Sequence, residues 1–175
     1  MLMGMLGLAI TPPVVAQNGG KPQAAPGYQR LPIEAVTGAA SVVAGDLVTV
    51  GATKVRLYGI AAPETGQKCR NRYSHELECG KIAAEVLRTL VEGAVVSCAV
   101  DRKDRTGQKV GVCRVRGVDL GAAMVARGWA FAYRGLSPDY VGSEAYAESK
   151  RLGMWGGRVE TPWQWRSRQQ RERAK

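Results

Sequence analysis

Four cysteines and a single histidine limit the metal and redox chemistry open to this 175-residue chain. Cys98 and Cys113 sit in two strand-like runs, VVSCAV and VGVCRV. A hairpin that pairs them turns near residues 105 and 106, where the turn-like Asp104-Arg105-Thr106-Gly107 stands. That turn signal favours a Cys98–Cys113 cross-strand bridge and leaves Cys69–Cys79 as the second pair. Four cysteines allow three connectivities, and spacing alone does not choose among them. The rival chemistry is a zinc site. No C-x-x-C is present, and His75, the one histidine, stands in a polar loop, so the ligand set is poor. Two bridges imply an oxidising compartment.

The net charge is +10. A basic surface concentrates nucleic acid, anionic polysaccharide or lipid headgroups. The plainer reading is a solubility charge with a basic tail. Hydrophobic content of 45% and charged content of 23% are ordinary for a soluble globular domain, and the length suits one domain with a real core. With one Phe, the core is left to aliphatics, four Trp and six Tyr. Residues 1–16 are apolar and uncharged, and Val14-Val15-Ala16 before Gln17 resembles a signal-peptidase site. This signal-like segment has no basic stretch before it. A frayed terminus without a targeting role is the alternative. It is too short to span a bilayer as a stable helix, and nothing later is apolar enough. Together these features place the protein outside the cytoplasm, secreted or periplasmic, and it is read as a monomer.

The elements must position whatever chemistry remains. Residues 17–35 are rich in Gly, Pro and Gln and read as a linker, so the folded domain is set at 36–165, followed by a disordered basic tail over 166–175. Ser41 to Val43 and Asp46 to Val50 read as short strands around Ala44-Gly45. A third strand runs from Lys54 to Ile60, in which Val55 and Leu57 alternate with Arg56 and Tyr58, so Arg56 faces away from its apolar neighbours. From Gly80 the period becomes helical: Ile82, Val86 and Leu90 are four apart, with Ala83, Leu87 and Val91 beside them. After the cysteine hairpin, Asp119 caps a short helix that Gly128 stops. Trp129 to Tyr133 form a short strand. Ser137-Pro138 opens a last helix with Tyr140 or Val141, Ala145 and Leu152 inward, closed by Gly153. The order fits a mainly β, α+β fold: a five-stranded OB-fold barrel with about three helices.

Several ordered strings now carry more specific information. V-x-A-G-D-L-V, K-V-R-L-Y-G-I-A-A-P-E, C-G-K-x-A-A, D-R-T-G-Q-K-V-G-V-C and G-V-D-L-G-A-A-M-V-A-R-G-W-A follow one another, then Y-x-x-x-E-A-x-A-x-x-x-x-L-G-M-W and P-W-Q-W-R. The run from Val42 to Trp155 resembles the thermonuclease (staphylococcal-nuclease-like) family. The resemblance implies cleavage of nucleic-acid phosphodiesters with calcium. Such chemistry needs carboxylate oxygens for a hard cation, a carboxylate to activate water, and fixed positive charge on the phosphate oxygens. By the resemblance, Asp46 is a calcium ligand, Arg56 clamps the phosphate, Glu64 activates water, and Tyr133 stacks on a base or sugar. Taken singly, Asp46 is as well read as a turn residue, Arg56 as a solvated strand residue, Glu64 as loop surface and Tyr133 as a barrel-edge aromatic. The four Trp are read as packing residues.

Two departures weigh on the activity. Ala61 stands where the family has a second calcium carboxylate, and Gln108 where it has a second catalytic arginine. Fewer anionic ligands weaken calcium binding. Removing one preorganised stabiliser costs on the order of 10²–10³ in rate. Lys109 should point to the other face of its strand, which leaves Arg105, in the turn, as the better substitute cation. The expected function is an exported phosphodiesterase acting weakly on nucleic acid. The alternative is a non-catalytic polyanion-binding barrel, accessory to exopolysaccharide (succinoglycan) biosynthesis.

Overall fold

Alternation of apolar residues builds a closed barrel. In the computed structural model, which describes residues 28–175, the barrel strands are β1 (Tyr28–Ala44), β2 (Leu47–Val50), β3 (Thr53–Leu57), β4 (Val95–Asp104) and β5 (Lys109–Val115). Val48 and Val50, Val55 and Leu57, Val96, Cys98 and Val100, and Cys113 and Val115 are alternate residues that bury one side chain after another in a common core. Successive pairings are antiparallel: β3 with β2, β2 with β1, β1 with β4, and β4 with β5. A parallel pairing of β3 with β5, from Val55↔Lys109 to Leu57↔Gly111, closes the circle. Closure leaves no long unpaired edge, as in the five-stranded OB barrel expected from the order of elements.

Four α-helices surround the barrel among the described residues, one more than expected: α1 (Cys79–Val91), α2 (Leu120–Ala126), α3 (Val141–Ser149) and α4 (Pro162–Arg173). On α1, Ala83, Leu87 and Val91 are buried against the barrel, the row read from the period. Asp119 caps α2 by accepting from the Ala122 N–H at 3.1 Å. On α3 the inward residues are Glu144 and Ala147, while Ala145 is exposed. The register differs from the apolar reading because the Glu144 carboxylate accepts the Ala132 N–H at 2.9 Å and so must face in. The cap read at Ser137 is instead a turn, in which Ser137 Oγ accepts the Asp139 N–H, and α3 starts at Val141. No described helix is long and apolar enough to cross a membrane.

Two boundaries need correction. The signal-like residues 1–16 and linker residues 17–27 lie outside the described residues, but Tyr28 to Ala35 are strand, paired with β4 from Tyr28↔Asp104 to Ala35↔Ala99. Composition concealed this strand because Pro32 sits where the register shifts between Arg30 and Glu34, a bulge that needs no N–H from it. The basic tail from Arg166 is not disordered: it continues α4. Thr161 accepts from the Gln164 N–H, Gln164 reaches back to the Thr161 N–H, and Pro162 opens the first turn. That capping box outweighs the polar composition.

Both cysteine pairs are bonded as preferred, Cys98–Cys113 across β4 and β5 and Cys69–Cys79 at the start of α1. Cys98 and Cys113 lie in the barrel core, whereas Cys69 and Cys79 join Phe131 and Met154 in a second apolar cluster. Each bridge constrains the unfolded chain, so opening either should cost about 2–4 kcal/mol. Guanidinium unfolding with and without reductant measures it. A midpoint unchanged by reductant contradicts the stabilising role.

Candidate active site

A cleft of about 580 Å³ opens at one mouth of the barrel, and five residues singled out from the sequence line it: Asp46, Arg56, Glu64, Arg105 and Tyr133. Asp46 stands in the tight turn between β1 and β2. A side chain on the preceding Gly45 would lie 2.7 Å from the Cβ atoms of both Ala62 and Ala83, so only glycine lets this turn sit against the strand-exit loop and α1. Arg56 projects from β3 opposite to Val55 and Leu57, as alternation requires. Its guanidinium donates to Asp46 Oδ1 at 3.1 Å and lies 3.6 Å from Asp104 Oδ2.

Glu64 lies beyond a short strand, Ile60–Ala61, that pairs with Phe131–Ala132. The same pairing brings Tyr133 to the cleft, where its N–H donates to the Gly59 carbonyl at 2.8 Å. The Glu64 backbone is gripped from two sides. Its N–H donates to Gln67 Oε1 at 3.0 Å, and its carbonyl accepts the Gln67 N–H at 2.7 Å. Gln67 is fully buried and also donates to the Glu160 carbonyl at 2.6 Å. A Cβ on Gly80 would come within 2.0 Å of the Glu64 carbonyl oxygen. The glycine of the C-G-K string therefore lets α1 press directly on the Glu64 loop.

Gln108 is not brought into the cleft lining. Its side-chain amide donates to the Lys54 carbonyl at 2.6 Å, and its N–H donates to Asp104 Oδ1. Lys109 turns to the other face, as expected, and pairs with Glu34. Arg105 stays in the lining because Asp104 Oδ1 also accepts from the Thr106 N–H and hydroxyl, which fixes the turn. His75 is an exposed loop residue.

Two lining residues escaped the sequence reading. Tyr28 comes from the stretch read as linker, and Arg166 from the stretch read as tail. Arg166 forms an ion pair with Glu64. The T-P-W-Q start of α4 was the signal that could have placed Arg166 on an ordered helix. Nothing in the sequence signals Gln67, whose side chain ties the Glu64 N–H to the Glu160 carbonyl, 93 residues further along the chain.

The charges of the cleft balance. Three carboxylates, Asp46, Glu64 and Asp104, face three guanidinium groups, Arg56, Arg105 and Arg166. Burial pushes the Asp46 carboxyl above the usual Asp range, and the charge of Glu64 adds to the rise. The Arg56 charge and hydrogen bonds from Arg56 and the Ala62 backbone offset it only in part. Burial works against the Arg56 charge too, but Asp46, Asp104 and Glu64 outweigh it and hold the guanidinium more firmly protonated. Burial, with Tyr133 and Asp104 nearby, raises the Tyr28 phenol, so it remains a hydroxyl donor.

A carboxyl whose folded pKa exceeds its unfolded one stabilises the fold below the unfolded pKa and loses that contribution as pH rises through the folded one. Removing Asp46 also takes a partner from the Arg56 guanidinium, so the effect of the shift is read in the pH dependence and not in the absolute Tm. The Tm of Asp46→Asn relative to the parent should rise between pH 3 and pH 7. Thermal melts in chelator across that range measure it, and a difference that stays constant or falls with pH contradicts it.

The donors facing the cleft are carboxylate oxygens, a set that suits a hard cation such as calcium and not zinc. Asp46 would hold it, since its buried charge is incompletely offset by its present partners. Among the described residues no group of three or more His, Cys, Asp or Glu gathers into a ready metal cage.

The sequence model described as "Staphylococcal nuclease homologue" matches residues 54–157, more than half of the chain. Arg56, Glu64 and Tyr133 fall inside the match, whereas Asp46 and Arg166 fall outside it. The chain is 29% identical over 133 residues to a succinoglycan biosynthesis protein, ExoI, of Rhizobium meliloti (strain 1021), covering 73% of this chain and 68% of that protein. It is 31% identical over 147 residues to a probable staphylococcal-like nuclease, CAN1, of Oryza sativa subsp. japonica, covering 82% of this chain but 41% of the relative. It is 33% identical over 128 residues to a probable endonuclease, LCL3, of Pyricularia oryzae, covering 65% of this chain and 48% of the relative. The chain thus spans less than half the length of these two nuclease relatives.

Proposed function

Because this chain belongs to the staphylococcal nuclease homologue family, we propose that its barrel-mouth cleft binds nucleic acid at a phosphodiester and hydrolyses it slowly. The observation that supports the reading most is the convergence of Arg56, Glu64 and Asp46 on one cleft. Arg56 donates to a non-bridging phosphate oxygen. Glu64 accepts a proton from the attacking water. Arg105, which has no carboxylate partner among the described residues, meets the phosphate first. Tyr133 offers a ring face to the neighbouring base or sugar. Calcium, when bound at Asp46, supplies positive charge to the phosphate oxygens.

The same geometry supports the expectation of a low rate. Arg56 is engaged by two carboxylates and Arg166 by Glu64, so substrate must exchange with existing ion pairs. Glu64 cannot take a proton freely until Arg166 releases it. Ala61 brings no carboxylate to the cleft, and Gln108 directs its amide to a backbone carbonyl. The apolar residues 1–16 and the two disulfides support export to an oxidising compartment, where the protein would act as a monomer.

Incubation of the oxidised protein with labelled single-stranded DNA, in calcium and in chelator, tests this reading. Slow cleavage only in calcium is expected. Salt-sensitive binding with no cleavage would favour the second reading, a polyanion-binding barrel accessory to exopolysaccharide biosynthesis. The similarity to a protein named for succinoglycan biosynthesis, with Ala61 and Gln108, supports that alternative.

A further inference from the structure

Helix α4 is hard to explain as packing. Pro162 is its one buried residue, and beyond Trp163 and Trp165 every side chain is polar or charged. A helix so polar needs a reason to be held in place. It is nonetheless fixed at its start, by the Thr161–Gln164 capping box and by Trp163, whose ring lies 5.8 Å from Phe131 and 5.9 Å from Tyr133. The helix also forms the wall of a second groove, about 940 Å³ in volume, bounded on its other side by the Cys69 segment and residues 158–160.

The two sides of α4 serve different cavities. At about 100° per residue, Ser167, Arg171 and Gln164 fall within roughly 100° of Trp163 on one side, and Arg166 about 60° away on the other. Arg166 lines the cleft that holds Arg56 and Glu64, while Gln164, Ser167 and Arg171 line the second groove. Trp163 stands between them: it lines the groove and touches Tyr133, which lines the cleft. Across the groove from α4 are Arg70 and Arg158, whose backbones pair with each other. Among the described residues, Arg70, Arg158 and Arg171 have no carboxylate partner, whereas the carboxylates of the groove are engaged: Glu76 by Lys68 and Glu160 by Arg168. The groove thus offers three unspent guanidinium groups beside an aromatic ring that is 37% exposed.

We infer that this second groove binds the flank of a single-stranded nucleic acid whose reacting phosphodiester lies in the barrel-mouth cleft. The strand passes over Trp163, which takes a base by stacking, and its next phosphates meet Arg158, Arg70 and Arg171. Aromatic steps between cationic grooves are how single strands are held without sequence preference. The Gln164 amide N–H adds a neutral donor suited to phosphate oxygens, whereas the Ser167 hydroxyl already donates to the Trp163 carbonyl at 2.9 Å. The inference rests on the nucleic-acid reading of the first cleft and extends it: the substrate is a strand several nucleotides long, and affinity depends on length.

The test compares a thymidine dinucleotide with a thymidine dodecamer, both end-labelled, by fluorescence anisotropy in calcium. The protein carries Glu64→Gln to hold cleavage down. In that background the dodecamer should bind more tightly, and Arg158→Ala with Arg171→Ala should weaken it roughly tenfold and flatten its salt dependence by about one unit per arginine, leaving the dinucleotide unchanged. If both oligonucleotides bind and the alanines change neither, or change both equally, the second groove is not a strand site, while the first cleft stands. If neither binds at low salt, the nucleic-acid reading fails and the inference falls with it. Binding of an anionic polysaccharide in the absence of oligonucleotide binding overturns both.

Discussion

Glu64→Gln should lower calcium-dependent phosphodiester cleavage by about 10²–10⁴, the range for loss of a positioned general base. Gln keeps the shape of the side chain but cannot take a proton from water. The backbone contacts that place residue 64, to Gln67 and against Gly80, do not involve the carboxylate and should survive. The ion pair with Arg166 does not survive, because a neutral amide holds a guanidinium far less firmly. Arg166 then becomes available to phosphate. The variant should therefore bind oligonucleotide as well as or several-fold better than the parent while it cleaves more slowly. Single-turnover cleavage and anisotropy separate the two effects. An unchanged rate would remove Glu64 from the chemistry.

The opposite effect is expected from restoring the two missing groups. Ala61→Asp combined with Gln108→Arg should raise cleavage by about 10²–10³. Ala61 lines the cleft, so a carboxylate there faces the same space as Asp46 and adds a second anionic donor for calcium. Gln108 stands at the foot of β5, next to the turn that carries Arg105. An arginine at 108 is long enough to leave the Lys54 carbonyl and enter the cleft as a further guanidinium. The two changes act on one transition state, so their effects need not multiply, and each alone should give less. Ala61 is buried and pairs with Phe131, so a thermal melt must show that the double variant folds. A folded double variant with tighter calcium binding and no gain in rate would mean that these groups do not limit the parent protein.

The barrel was legible because its strands obey a period of two and its hairpin carries a turn signal between Cys98 and Cys113. Asp46, Arg56 and Glu64 were legible through ordered strings, and Arg56 also through alternation. What was hidden was hidden for physical reasons. Tyr28 lies on a strand whose composition, with Pro32 in a bulge, reads as linker. Arg166 lies on a helix so polar that composition argues for disorder, although its cap was present in the sequence. Glu144 was invisible as an inward residue because its burial is due to one backbone N–H on a distant strand. Gln108 was read as a site residue, but its amide turns to the Lys54 carbonyl across the β3–β5 closure and away from the cleft lining. Local patterns reveal elements, whereas these four residues take their roles from contacts made after the elements meet.

The two ends of the described chain thus converge on the cleft that the central motifs define. Tyr28 and Arg166 both line it, and both lie outside residues 54–157. A barrel trimmed to the matched residues would lose them together with Asp46.

A crystal structure of the Glu64→Gln protein with a single-stranded oligonucleotide and calcium tests the central claim most directly. The account predicts a phosphate within about 3 Å of the Arg56 guanidinium, with the residue 64 side chain about one water molecule away from its phosphorus and within hydrogen-bond reach of that water, as proton transfer requires. An oligonucleotide bound away from Arg56, with the barrel mouth untouched, would contradict it.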